Sequence, residues 1–193
     1  MAIDVDKLKS ATPNAGMPFR ITKIGHVVLR VSELQRSVDF YTRVLGFRVS
    51  DVYPEEMVPG GMVFMRFGPD HHGIALVGKM EEPARKRELD HLAFEVPTLD
   101  EVFRARALLR EHQVPILFHG RRRAGVQIAV EFFDPDKHHL EIYWGIDQVG
   151  SEGQVRPSSQ WHWAHSLEEA LAHPVPHQDA LLIDRSLLEA KKD

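Results

Sequence analysis

The stretch Phe132-Phe133-Asp134-Pro135-Asp136-Lys137-His138-His139-Leu140-Glu141-Ile142-Tyr143-Trp144 decides how this chain folds. Pro135 fixes φ and the flanking Asp side chains bond to nearby backbone, which predicts a tight turn between two strands. On the second strand Leu140, Ile142 and Trp144 share one face, and Glu141 and Tyr143 share the other. If the apolar face packs on a helix, Glu141 points into whatever the sheet encloses. A carboxylate enclosed without a partner is costly or gives up its charge, so the partner of Glu141 sets the chemistry.

Working outward, Asp90 to Val96 reads as a strand. Thr98-Leu99-Asp100-Glu101 reads as a capping box, with Val102, Ala105 and Leu109 at helical spacing behind it. Ile116 to Phe118, Val126 to Phe133 and Leu140 to Trp144 supply three further strands. The same order stands earlier in the chain. A strand over Ile24 to Val31 is followed by a cap at Ser32-Glu33-Leu34-Gln35 and a helix carrying Leu34, Val38, Tyr41 and Leu45, ended by Gly46. Strands at Phe47 to Tyr53, Met62 to Phe67 and Ile74 to Val77 complete that unit. This is an α+β pattern of two βαβββ units with a period of about 65 residues, in which His26 falls on His91 and Gly68-Pro69-Asp70 on Asp134-Pro135-Asp136.

The expected layout is an arm over 1–19, one domain over 20–146 (units 20–80 and 88–146) and an extension with short helices over 147–193. With 43% apolar residues among 193, the chain can bury a real core. A net charge of -4 and a pI near 6.3 give no reason to expect nucleic acid. No run of 18 apolar residues suggests a membrane span, and Met1-Ala2-Ile3-Asp4 lacks the basic start of a signal peptide, so a cytoplasmic location is expected. There is no cysteine and there are 12 histidines, so any metal must use His, Asp or Glu.

Aligning the units places Glu141 opposite Ala75. If the two sheets close into one curved cup, His26, His91 and Glu141 project into it, and Ala75 leaves the fourth place open. Two imidazoles and one carboxylate with open positions suit non-haem Fe(II) that handles oxygen; Mn(II) and Zn(II) fit the same set.

At these residues the sequence resembles the vicinal oxygen chelate superfamily of glyoxalases, bleomycin-resistance proteins and type I extradiol ring-cleaving dioxygenases, over residues 22–145. The extradiol branch fits best. It carries a His, His, Glu metal triad, here His26, His91 and Glu141, whereas glyoxalases have a fourth ligand at the place of Ala75. The segment His71-His72-Gly73-Ile74-Ala75-Leu76 also resembles that branch's segment with an acid–base histidine, which maps to His72. Strict alternation back from Ala75 turns His71 inward instead, so the two imidazoles compete. Lys137 stands where the family's turn usually has a glycine. Arg122 and Glu131 stand where the branch has a second-sphere histidine and a tyrosine, and a salt bridge between them is expected to replace that pair.

The resemblance implies an Fe(II)-dependent dioxygenase that takes a small aromatic diol and O2 and opens the ring beside the diol, in a homo-oligomer without nucleic-acid or membrane partners. His72, Glu131 and Arg122 are the expected catalytic residues; Arg122, Phe133 and Tyr143 the expected substrate contacts. Phe64, Met65 and Phe67 are expected to line an apolar slot with Phe133. Two alternatives stay open: a metal-dependent isomerase or lyase of the glyoxalase kind, and a metal-free drug-binding protein. Further expectations are a structural Arg30–Glu95 pair inside the cup, surface positions for His138 and His139, and a solvated Arg121-Arg122-Arg123 loop; the sharper reading of that loop has one arginine grip an anionic ring substituent. In the last 48 residues, Trp161, His162, Trp163 and His165 precede a capping box at Ser166-Leu167-Glu168-Glu169, and a further helix is expected over Asp184 to Lys192. The extension is expected to pack on the barrel or across a dimer; the sharper reading makes it an aromatic lid.

Overall fold

Each unit starts with a short strand that alternates between a covered and an open face, which is what strand pleating imposes on a half-buried segment. In the computed structural model, which describes residues 4–12, 24, 26–79, 89–148 and 156–188, the first unit comprises β1 (Val27–Arg30), α2 (Leu34–Arg43), β2 (Arg48–Tyr53), β3 (Met62–Arg66) and β4 (Ile74–Val77), after a short α1 (Val5–Lys9). The second comprises β5 (Leu92–Glu95), α3 (Leu99–Glu111), β6 (Ile116–Arg121), β7 (Ile128–Phe133) and β8 (His139–Trp144), and α4 (Leu167–Ala172) follows. Two four-stranded sheets result, in the orders β1-β4-β3-β2 and β5-β8-β7-β6, each with one parallel and two antiparallel pairings.

The registers repeat across the two units. Val28 lies opposite Ala75 on the β1–β4 pair, and Ala93 opposite Glu141 on the β5–β8 pair. Phe64 faces Ala75 as Glu131 faces Glu141. The duplication read from the sequence is therefore a duplication of register, and it puts Ala75 in the structural place of Glu141.

One apolar core joins the units. Leu29, Val31, Phe40, Tyr41 and Met65 belong to the same buried cluster as Val102, Leu109, Val130, Phe132 and Leu140. Phe47 meets Phe94 edge-on at 5.6 Å between ring centroids. The turn after β7 completes the joint. Asp134, 2% exposed, accepts hydrogen bonds from the backbone N–H groups of Asp136 (2.9 Å) and His138 (2.8 Å) and from the Tyr41 hydroxyl (3.0 Å). Asp136 accepts from the Ser32 N–H (3.0 Å) and hydroxyl, from the Ser37 hydroxyl (2.9 Å) and from Arg36 (3.0 Å). Ser32 is thus drawn away from capping: Glu33 is the N-cap of α2 and accepts from the Gln35 and Arg36 N–H groups. The expected Ser32 cap failed because a carboxylate from the other unit competes for that hydroxyl.

The extension is stitched to the second sheet. Arg121 and Ala164 exchange backbone hydrogen bonds (3.0 and 3.2 Å), so β6 runs on past Phe118. Arg121 is 1% exposed and donates to the carbonyls of Ala170 and His173 (2.8 Å) at the end of α4; it is no solvated loop residue. Arg106 holds Glu168 with two bonds (3.1 and 2.6 Å), and Gln178 donates to the Val126 and Gly145 carbonyls (2.8 and 2.9 Å). Gly120 permits this approach, since a Cβ there would collide with the Ala164 carbonyl. The helix expected from Asp184 is a single 3-10 turn over Arg185–Leu188, and its expected end, like Pro13 to Pro18, lies outside the described residues. Arg30 and Glu95 are both exposed, and among the described residues no ion pair joins them. Among the described residues no helix is long and apolar enough to cross a membrane.

Three outcomes test this joint. Tyr41→Phe leaves buried Asp134 short of a donor and is expected to cost about 1–3 kcal/mol in denaturant unfolding. Gly120→Ala is expected to destabilise by roughly 1–3 kcal/mol, as overpacking does, with loss of the β6–Ala164 pairing in hydrogen exchange. Burial alone would raise the Asp136 pKa, but the bonds from Ser32 and Ser37 and the charge of Arg36 outweigh it and hold the carboxyl below its usual range. A depressed folded value gives stability that is present above the unfolded carboxyl pKa of about 3.9 and is lost as pH falls through the folded one. The melting temperature is expected to drop in that acid window, and to drop less in Asp136→Asn.

Candidate metal centre

His26 and His91 each stand one residue before the first strand of their unit, on the face that also carries Val28 and Arg30 or Ala93 and Glu95. In the second unit this puts His91 beside Glu141, with His91 Nε2 3.3 Å from Glu141 Oε2. Glu141 is 2% exposed, and its Oε1 has no hydrogen-bond partner among the described residues. Its pKa is raised, first by burial and then by the Glu131 carboxylate across the strand pair, with His91, then the Gln127 side chain and Arg122, acting the other way. His91 Nδ1 lies 2.7 Å from Asp90 Oδ1. That contact favours the tautomer with the proton on Nδ1, which leaves an unprotonated Nε2 3.3 Å from a carboxylate oxygen. Lone pair and carboxylate repel unless a proton or a cation lies between them, so the pair fits a metal ion.

On the first sheet His26 is exposed and packs against His72, with ring centroids 4.6 Å apart. His72 also meets Phe64 edge-on at 5.0 Å, and its Nδ1 is 3.0 Å from His71 Nδ1. Of the two competing imidazoles, His72 is the one against His26, and His71 is the more exposed. Desolvation first, then the neighbouring His26 and His71, hold the His72 pKa below its ordinary value. The structure thus forms two contacts, His91–Glu141 on one sheet and His26–His72 on the other.

Glu131 is 3% exposed and is held by Arg122 through two bonds, Nε to Oε1 at 2.6 Å and Nη2 to Oε2 at 2.5 Å. The Arg122 guanidinium lies over the Phe118 ring (4.0 Å) and the Trp163 ring (5.1 Å). Tyr143 shares the face of Glu141; burial, then Glu95 and Glu141, raise its pKa and keep the phenol neutral. Phe133 is half-buried, 6.0 Å from the ring of His139. Phe64 is on the open face opposite Ala75, but Met65 and Phe67 are not. Met65 is fully buried in the core, and Phe67 packs on Phe47 (4.9 Å) and Phe94 (5.6 Å). Adjacent strand residues face opposite ways, so the slot expected from Phe64, Met65 and Phe67 together is not formed.

His139 is the residue that the surface expectation missed. It begins β8, so it has the parity of Glu141 and Tyr143. It bonds Glu131 at 3.1 Å, and its ring centroid is 5.1 Å from that of His91. His138 likewise is no free surface group: it bonds Asp134 at 2.8 Å. Asp90, His91 and His139 offer ligand atoms within 4.8 Å of one another, a second geometry able to hold an ion. We favour the Glu141 side, because the exposed Asp90 already engages His91 Nδ1 whereas buried Glu141 has an oxygen left over.

Comparison with known proteins agrees with this architecture. The family profile for the "Glyoxalase/Bleomycin resistance protein/Dioxygenase superfamily" matches residues 23–142. The 1,2-dihydroxynaphthalene dioxygenase of Sphingobium xenophagum is 32% identical over 67% of this chain and 43% of its own length. The biphenyl-2,3-diol 1,2-dioxygenase of Metapseudomonas furukawaii is 37% identical over 80% of this chain and 52% of its own. The chain therefore spans about half the length of these dioxygenases. Among solved structures, a glyoxalase family protein from Enterococcus faecalis superposes with a TM-score of 0.53 at 26% identity, covering 63% of this chain and 96% of its own. The chain belongs to the glyoxalase/bleomycin resistance protein/dioxygenase superfamily.

Proposed function

We propose that the chain is an extradiol-type dioxygenase that cleaves a catechol-like aromatic ring with O2, using Fe(II) held by His26, His91 and Glu141. The observation that carries this reading is the buried Glu141 with an unmet oxygen beside the His91 Nε2, at a register position that its duplicate fills with Ala75. Two such ligands plus His26 leave open positions, and the dioxygenase relatives favour diol and oxygen as their occupants. Bound Fe(II) supplies Lewis acidity and redox chemistry toward oxygen; Mn(II) and Zn(II) meet the same donors.

The chain's own groups do the rest. His72, in the tautomer whose Nδ1–H donates to His71 Nδ1, keeps an Nε2 lone pair to take a proton from a substrate hydroxyl and return it later, and its lowered pKa favours the neutral imidazole that this needs. Phe64 offers an apolar surface to the ring, while Phe133 and Tyr143 bound the other sheet. Glu131 and Arg122 stand in for the family's histidine and tyrosine as a fixed, charge-neutral pair. Because the Nε–Nη2 edge of Arg122 is taken by Glu131, a carboxylated substrate is left the Nη1 donors and the second N–H of Nη2.

Oxygen uptake by anaerobically iron-loaded protein tests the reading, with catechols bearing hydrogen, alkyl, aryl or carboxylate substituents. One O2 consumed per diol, with a ring-opened product, is the expected result. Turnover that persists without oxygen, or in metal-stripped protein, contradicts it. His91→Ala is expected to reduce bound iron and uptake by more than the roughly 10- to 100-fold that losing an outer-sphere partner costs. Full iron content in that variant, read by elemental analysis, would remove His91 from the centre.

A further inference from the structure

Trp163 lies in the extension, beyond the residues that the family profile matches. Its place is nonetheless fixed. Its neighbour Ala164 pairs with Arg121 through both backbone groups, and Gly120 leaves the room that this requires. Buried Arg121 ties the far end of α4 to the same strand. Its indole Nε1–H donates to His165 Nδ1 at 3.0 Å, which sets the plane of the ring. Trp163 then meets Phe118 edge-on (5.5 Å), and the Arg122 guanidinium lies across the corner made by the two rings. Arg123 sits 4.9 Å from the same indole.

We propose that Trp163 is a positioning residue for the centre, holding Arg122 in its two-bonded contact with Glu131 and so making the extension part of the active site. Arg122 follows the end of β6 directly and is half-buried, and Phe118 of that strand covers only one side of its guanidinium, which leaves Trp163 to close the other against a swing toward water. Two aromatic faces confine a planar cation to the orientation in which its fork meets the carboxylate. Glu131 is paired in register with Glu141, and an unheld Arg122 would leave two buried carboxylates side by side with one cation fewer. The kinetic consequence rests on the ring-cleavage reading; the placement of Arg122 does not.

The test uses the full chain with Trp163→Ala and Trp163→Phe, and Trp161→Ala as a control at an exposed indole. The first readout is the Arg122 side-chain Nε–H resonance in nitrogen-15 NMR, which needs no activity. It is expected to be protected from exchange in the wild type, in Trp163→Phe and in Trp161→Ala, and to lose protection in Trp163→Ala. The second is steady-state oxygen uptake by iron-loaded protein, where Trp163→Ala is expected to lower kcat by about 10- to 100-fold with KM little changed, and Trp163→Phe to restore most of it. An Arg122 signal unaltered in Trp163→Ala overturns the proposal, as does a rise in KM alone, which would make the indole a substrate contact. If Trp163→Ala does not fold, Trp163→Leu carries the same test, filling space without a π face. Wild-type protein inactive on every diol would sink the ring-cleavage reading, and the NMR result would still decide the role of Trp163.

Discussion

A carboxylate sunk in the middle of β8, with one oxygen unmet and an imidazole lone pair beside the other, is the constraint around which the second unit is built. Burying Glu141 next to a second buried acid, Glu131, is tolerable only with a bound proton or matching positive charge. Arg122 supplies it for Glu131. For Glu141 the structure supplies a histidine whose other nitrogen is engaged by Asp90, the arrangement in which an imidazole acts as a metal ligand. The rest of the sheet follows: Leu140, Ile142 and Trp144 take the covered face, which commits the alternate positions to the open one.

Duplication explains why the buried carboxylates stand on one sheet only. The same register recurs in both units, yet Ala75, Phe64 and Gly73 stand where the second unit has Glu141, Glu131 and His139. One sheet is thereby mostly apolar and the other charged, which suits a ligand with a hydrocarbon side and a chelating side. The units are locked by Asp134 and Asp136, whose bonds to Tyr41, Ser32 and Ser37 tie the β7–β8 turn to α2 and the residues just before it. The turn that shapes β8 thus also fixes one unit against the other.

Much of this was legible in the sequence because it rests on short-range rules. The alternation on β8, the spacing between His26 and His91, and the opposition of Ala75 and Glu141 all follow from strand parity and a repeat. His139 was also within reach, since two residues back from Glu141 is the same face; starting the strand at Leu140 hid it. Counting parity on β3 would equally have separated Phe64 from Met65. Long-range competition was not legible: Ser32 abandons its cap for Asp136, 104 residues away. Arg121 reads as loop until the extension pairs with β6, and nothing local announces that Gly120 is small to admit Ala164.

Whether one ion joins the two sheets is the central claim, and diffraction from crystals grown with Fe(II) without oxygen, recorded at the iron absorption edge, tests it most directly. The account predicts one anomalous peak at bonding distance from His26, His91 Nε2 and the Glu141 carboxylate. A peak held by Asp90, His91 and His139 with Glu141 unbound, or no peak between His91 and Glu141 at saturating iron, would contradict it.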